Sequence, residues 1–453
     1  MTMKSYRASD DHRPANGSLH RRGFLTTAGA AVAGLALTGG LATPARAAAR
    51  AASPAASGKT FRNSLSVSPF TESVLAQVKL TDGQRTAATA EGVQRLFVDH
   101  GATEMFVRVA TRRVATDVDA EHGVDRALRR GRLATKLRLP LNPELGLWAV
   151  YGDISHQPGP DFSAYPSISL PGPWESLTIG QMTTALRQYG ALVARQILGT
   201  GACVNVWDLG NEVEFGVAGV GIRSFTTSTG YWSYTAPDGV DPEIGKMDVY
   251  TLFTMSDSDR IAWLRTHLWP YTARIFGAVA AGIRAVDPRA RFTTHTSALA
   301  MLFPGLSAAF WQAMADDGFD VHELGTSYYP TSNAAVDQLA LFKSTAADLH
   351  STFGKQVFVA ETGYPSGIMQ PPFAWNFPVV GYPQTQQGEY EFLRDLTAWG
   401  ASTGHLAGMR PWAPDYCTAG WQPMSHFTVS GALGTAEPVL DSIADGLEPA
   451  ASG

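Results

Sequence analysis

The chain has 453 residues, a formal net charge of −5 and a pI near 6.1, a balance that argues against a nucleic-acid surface. Hydrophobic residues make up 45% and charged residues 17%, with no long run of one sign, so a large core is available. Length alone allows one barrel or two to three smaller domains.

Residues 1–47 read as an export signal. Arg21-Arg22-Gly23-Phe24-Leu25 precedes an apolar stretch from Ala28 to Leu41, and Pro44-Ala45-Arg46-Ala47 offers a cleavage site after Ala47. The apolar core is Gly/Ala-rich and short of the roughly 20 residues a spanning helix needs, which favours twin-arginine export over anchoring. No later segment approaches that length, so the mature form is expected to be secreted and without a membrane span. Residues 48–58 are Ala/Ser-rich and read as a disordered linker. One domain is expected over 59–445, and 446–453 as a tail.

From Phe61 onward, strand-like runs alternate with helical ones, as in a parallel sheet of βα units. The first strand is expected at Leu65–Val67, followed by a helix over Thr86–His100 that Gly101 ends. Met105–Val109 and Leu145–Tyr151 read as the second and third strands. Ser176–Leu198 has a 3.6-residue apolar period and stops before Gly199. The fourth strand is Cys203–Glu212, and a long Gly/Ser/Thr-rich stretch follows to about Arg260. Ser256-Asp257-Ser258-Asp259 can cap a helix running to Val286, with Pro270 as a break or kink. Arg291–Thr296 is the fifth strand, Phe310–Asp316 a helix, Val321–Tyr328 the sixth strand, and Ala334–Phe353 a helix. Gln356–Glu361 is the seventh strand, Gly388–Ala401 a helix and Leu406–Trp412 the eighth strand. This is an α/β chain forming a single (β/α)8 TIM barrel with an enlarged loop after strand four. Cys203 and Cys417 then fall at opposite ends of the barrel and are expected to stay unbridged. No Cys/His metal signature is present.

The ends of these strands collect a polar set. Glu212 and Glu361 each close an apolar run. Taken singly, either is an ordinary strand-end acid; together, at the C-terminal rim, they suggest paired carboxyls working on a sugar. Arg108, Asp153, Ser155, His156, Asn211, His295, Tyr328, Tyr329 and Trp412 share that rim. A proton donor, an attacking carboxylate steadied by a cation and a phenol, groups for sugar hydroxyls and an aromatic floor are what hydrolysis of a β-glycoside requires. Glu214, two residues past Glu212, is expected to face solvent.

The local motifs are specific. Gly210-Asn211-Glu212, Ser327-Tyr328-Tyr329-Pro330, Glu361-Thr362-Gly363-Tyr364-Pro365 and the helix start at Gly388-Glu389-Tyr390-Glu391-Phe392-Leu393 resemble the arabinogalactan endo-β-1,4-galactanase family of retaining glycoside hydrolases, from about Ser64 to Leu440. The resemblance implies that Glu212 is the acid/base and Glu361 the nucleophile. It implies that Arg108 and Tyr328 support Glu361 and that Asn211 binds the 2-hydroxyl; the expected partner is a polysaccharide, and a monomer is expected. Members sometimes carry calcium late in the chain, but no ligand set is visible here, so no cofactor or metal is expected. Three stretches depart from the family: Tyr151–His156 with Gln157-Pro158-Gly159-Pro160, the long loop from Phe215 to Arg260, and Trp412-Ala413-Pro414, which lacks the family's acid. They leave room for a different β-glycan as substrate, or for a barrel that binds glycan without cleaving it.

Overall fold

The structure is a computed structural model. It describes residues 61–448 apart from 118, 155, 224–238, 334–335 and 372. The expected export signal, the linker, most of the tail and Ser155 lie outside the described residues.

Eight parallel strands form the barrel: β1 (Arg62–Asn63), β2 (Met105–Val109), β3 (Leu141–Leu145), β4 (Trp207–Leu209), β5 (Phe292–Thr293 with His295–Thr296), β6 (Leu324–Tyr328), β7 (Val357–Thr362) and β8 (Leu406–Pro411). β5 is split at Thr294. Its first half pairs with β4 and its second with β6, so it joins the two runs of strands into one circuit. β1 pairs with β8. Between β1 and β2 the circuit is held by Thr103 N–H to Asn63 O at 2.9 Å and by Phe106 N–H to the Ser66 hydroxyl at 2.9 Å.

Helices cover the outside: α1 (Ala90–Asp99), α2 (Val124–Leu137), α3 (Ile179–Leu198), α4 (Trp269–Arg284), α5 (Leu306–Asp316), α6 (Gln338–Phe353), α7 (Gln386–Thr403) and α8 (Ser442–Leu447). Their ends follow local chemistry. Thr178 and Gln181 form a reciprocal capping box at the start of α3, and Gly354 and Gly404 take left-handed conformations after α6 and α7. Pro270 lies at the first turn of α4, where its missing N–H costs nothing, and one π turn (Leu264–Leu268) joins that helix to Asp257–Trp263. No helix among the described residues is long and apolar enough to cross a membrane.

Two expected strands are corrected. The first strand lies at Arg62–Asn63, and the next residues use Ser66 to reach β2. The third strand is Leu141–Leu145, not Leu145–Tyr151: at Leu147 the backbone is left-handed (φ 59°), which ends extension. Pro143 masks this strand in the sequence. Pairing towards β4 is interrupted at Pro143, between the Leu141–Val204 bridge and the ladder at Glu144 and Leu145, and the Asn142 side-chain amide donates to Val206 O at 2.7 Å there. Helix α2, with Arg126, Arg129, Arg130 and Arg132, has no counterpart in the sequence reading. Its basic face obscures the buried Val124, Ala127 and Ala134. Cys203 and Cys417 are free thiols, the first exposed and the second buried.

Candidate active site

Register places charge inside the barrel. Arg108 on β2 lies opposite Glu144 on β3, which lies opposite Asp208 on β4. Arg410 on β8 completes this layer. Its guanidinium donates to Glu144 Oε2 at 2.9 Å, to Asp208 Oδ2 at 3.3 Å and to Asn142. Arg108 donates to both Glu144 oxygens, to Asn211 Oδ1 at 3.1 Å and to Glu361 Oε1. Both arginines are buried. Burial alone would lower the Arg108 pKa, but Glu144 and Glu361 raise it well above the ordinary value. Burial also pushes the Glu144 carboxyl upward against the pull of Arg108.

Glu361 reaches this layer through a bulge. Phe358 on β7 faces inward, since Arg62 and Arg410 stack on its ring at 4.2 and 5.4 Å. Strict alternation would then turn residue 361 outward. The β6–β7 register shifts between Thr326 and Ser327, which puts Glu361 opposite Ser327 and re-aims its side chain into the barrel. There Oε1 accepts from Arg108 and Oε2 from the Tyr329 hydroxyl at 2.8 Å. The phenol beside Glu361 is therefore Tyr329 and not Tyr328. The Tyr328 ring points outward, stacked on Phe342 of α6 with centroids 4.1 Å apart, and its hydroxyl has no hydrogen-bond partner among the described residues. Burial, then Glu361 and Glu212, raise the Tyr329 pKa well above normal, so it stays a proton donor.

Glu212 is held by a strained turn. Gly210 (φ 81°) and Glu212 (φ 53°) are both left-handed, and a Cβ at residue 210 would meet Val213 Cγ1 at 2.4 Å. A left-handed non-glycine residue costs on the order of 1–3 kcal/mol and persists only when its surroundings insist on it. Here Gln157 Nε2 donates to the carbonyls of Asn211 at 2.6 Å, Asp153 at 3.0 Å and Glu212 at 3.4 Å. The Glu212 carboxylate accepts one bond from Ile154 N–H at 3.3 Å. Desolvation, followed by Glu361, Asp153 and Glu214, raises its pKa to about 8.

Asn211 is locked in orientation. Its Oδ1 accepts from Arg108 and from His295 Nε2 at 2.8 Å, and its Nδ2 donates to Gly152 O at 2.8 Å, leaving one amide hydrogen. His295 does not reach the rim. It is buried beneath Asn211 with Nδ1 3.3 Å from Asp208. Burial opposes its charge, but Asp208, Glu144 and Glu361 outweigh that and raise its pKa to about 9. It is thus a cation that positions Asn211. Asp208, despite burial, is pulled below the carboxylate range by His295 and Arg410.

Asp153 and His156 pair backbone to backbone at 2.8 and 2.9 Å in the loop after β3. The half-buried Trp412 lies under the Arg108 guanidinium, 4.1 Å from its ring centroid. Glu214 is buried, contrary to expectation, and accepts from Ser297 N–H at 2.9 Å and from the Ser297 hydroxyl. Sequence reading passed over Glu144, Asp208 and Arg410; Tyr329 is on the expected rim but without the contact to Glu361, and Gln157 is in the departing loop without a role. The alternation of Asn142 and Glu144 was a signal for the inner face of β3, hidden by the misplaced strand. Glu144, His295 and Glu361 offer ligand-type atoms within 4.8 Å of one another. Arg108 already occupies both carboxylates and His295 holds its own proton, so the cluster does not fit a resident cation.

Comparison with known proteins adds the family. Among curated proteins, the chain is similar to the probable arabinogalactan endo-β-1,4-galactanase A of Aspergillus terreus, 35% identical over 95 residues, 21% of this chain and 27% of that protein. To its counterpart in Aspergillus fumigatus it is 23% identical over 272 residues, 58% and 60% of the two chains. The chain thus spans about a quarter to three fifths of the length of these relatives. Among solved structures, a fungal β-1,4-galactanase superposes with TM-score 0.60 at 16% identity, covering 85% of this chain and 99% of that one. The GH53 catalytic domain of Ignisphaera aggregans does so with TM-score 0.60 at 15% identity, covering 85% and 96%. These likenesses carry the barrel fold. The family profile described as glycosyl hydrolase family 53 matches residues 161–443, from within the loop after β3 to the start of α8, and so the chain belongs to glycosyl hydrolase family 53.

Proposed function

We propose that the protein is a retaining glycoside hydrolase that cleaves β-linked galactan or arabinogalactan, with Glu212 as acid/base and Glu361 as nucleophile. One observation carries this reading: two neighbouring carboxyls have different surroundings. Glu212 is raised to about 8 and protonated at neutral pH, while both oxygens of Glu361 accept hydrogen bonds from a cation and a phenol.

In the first step Glu212 gives its proton to the glycosidic oxygen as the C–O bond breaks, and Glu361 attacks the anomeric carbon to form a glycosyl ester. In the second, Glu212 takes a proton from water, which attacks the same carbon and releases Glu361. Asn211 presents its remaining amide hydrogen to the 2-hydroxyl, and Trp412 and Tyr151, whose ring centroids lie 4.1 and 5.5 Å from the Arg108 guanidinium, border the sugar. Galactan is the substrate favoured by the names of the curated relatives. A different β-glycan is a second reading, favoured by the first part of the loop after β3, residues 146–160, which precedes the matched family profile. Residues 21–47 support twin-arginine export, so the enzyme acts outside the cell, as a monomer on a polysaccharide.

The test is hydrolysis of β-1,4-galactan and other β-glycans by wild type and Glu361→Gln. Wild type is expected to cleave galactan and release the β anomer first, seen by proton NMR, and Glu361→Gln to be inactive. A first-formed α anomer would replace retention by inversion. Failure of wild type to cleave any β-glycan would leave a glycan-binding barrel.

A further inference from the structure

A groove of about 610 Å³ lies between the loop that follows β3 and the hairpin Gly216–Val217/Val220–Gly221. Neither Glu212 nor Glu361 lines it. Its apolar wall is Phe162, Tyr165 and Trp174, all buried residues. The Trp174 ring is fixed in place. Its Nε1 donates to Ala218 O at 2.7 Å, and it lies so close to Gly159 that a Cβ there would meet Trp174 Cδ1 at 2.9 Å.

Gln157 belongs to this groove and to the catalytic turn at once. It is 1% exposed, and its Nε2 is spent on the carbonyls of Asp153, Asn211 and Glu212. Those three acceptors settle the amide orientation and leave its oxygen, which has no partner among the described residues, in need of a donor. The charges at the groove cancel: Arg112 Nε donates to Asp161 Oδ2 at 2.8 Å, and Asp161 Oδ1 accepts from Ser163 N–H at 2.9 Å. Glu175 is exposed at the groove, so no unpaired cation awaits an acidic polymer. A rigid aromatic wall, a spare buried acceptor and a volume inside the roughly 300–1,000 Å³ range of small-ligand sites suit a neutral, hydroxyl-rich ring.

We propose that this groove is a distal subsite for a neutral sugar unit of the same β-glycan chain, a proposal that rests on the reading of Glu212 and Glu361 given above. Its loop begins in the stretch from Asp153 to Pro160, which precedes the matched family profile, and runs on through Phe162, Tyr165 and Trp174 inside it. A hydroxyl on the free oxygen of Gln157 would steady the amide that holds the Glu212 turn, linking occupancy of the groove to the proton donor.

The experiment measures binding of β-1,4-galactotriose and β-1,4-galactohexaose by calorimetry to Glu361→Gln, alone and combined with Ser163→Trp or Leu170→Trp, which fill the groove from two sides. Hydrolysis of both oligomers is measured with Glu361 intact, and circular dichroism checks that each variant is folded. The hexaose is expected to bind at least tenfold more tightly than the triose. Either groove substitution should erase that gap while leaving triose binding and turnover unchanged. A missing gap, or a gap that survives both substitutions, overturns the subsite whatever the hydrolysis data show. A groove-dependent gap in a wild type that hydrolyses nothing overturns the proposed function and leaves the subsite standing.

Discussion

At the scale of single residues the decisive asymmetry is that of Glu212. Its carboxyl keeps its proton up to about pH 8 because burial and the neighbouring carboxylates disfavour a second charge. The proposed general acid works in the protonated form, so kcat/KM should fall as pH rises through about 8. In Glu212→Gln that alkaline limb should vanish, with activity lower by roughly 10²–10⁴-fold on substrates with poor leaving groups. A limb that persists in the variant would assign it to another group. The two adjacent tyrosines give a sharper contrast. Tyr329→Phe removes a bond to a charged oxygen, of the kind that contributes about 1.5–3 kcal/mol, so turnover should drop roughly 10–100-fold. Tyr328→Phe deletes a hydroxyl with no partner among the described residues and preserves the stack on Phe342, so activity should be unchanged. Equal effects of the two substitutions would contradict the register derived for β6.

At the scale of elements, close approach overrides propensity. Helices α3 and α4 pack backbone against side through two glycines. A Cβ on Gly282 would lie 2.1 Å from Arg187 O, and one on Gly190 would lie 2.4 Å from Val279 O. In an open helix, glycine to alanine is favourable by about 1 kcal/mol. Here the added methyl meets backbone, which cannot rotate away, so Gly282→Ala should destabilise by about 1–3 kcal/mol in urea unfolding. A stabilised variant would mean that the two helices are free to move apart. The same competition explains β7. Its apolar run was legible in sequence, but alternation alone would have turned Glu361 outward; the bulge against β6 turned it in. A bulge leaves no reliable mark in composition, because it is a property of two strands paired.

At the scale of the whole molecule, the inside of the barrel is held by charge as well as by apolar packing. Arg108, Arg410 and protonated His295 face Glu144, Asp208 and Glu361, and strands from opposite sides of the barrel contribute to the set. Removing one partner from a buried network leaves the others uncompensated, a loss of about 3–5 kcal/mol. Glu144→Gln should therefore lower stability by that order in denaturant titration, and should reduce turnover as well, because Arg108 loses the partner that aims it at Glu361. Unchanged stability would show that solvent reaches this layer and screens it.

Sequence by itself determined a good deal. The alternation of apolar runs dictates a (β/α)8 barrel, since each run can bury its face only against its neighbours. Gly210-Asn211-Glu212 and Glu361-Thr362-Gly363-Tyr364-Pro365 mark the two strand ends that matter, because a carboxyl at the close of an apolar run has no packing reason to be there. Tertiary structure alone decided which side chains meet. Tyr329 replaced Tyr328 because a register shift one strand away changed which side chains face inward. Glu144, Asp208 and Arg410 emerged as a layer only once β3 was placed at Leu141–Leu145, and His295 moved from the rim to the support of Asn211. Gln157 is an ordinary loop residue until the chain folds and its amide finds the carbonyls of the catalytic turn. Which runs become strands is a local matter of pattern; which way a side chain faces depends on hydrogen bonds between segments far apart in the chain, and no local pattern encodes those.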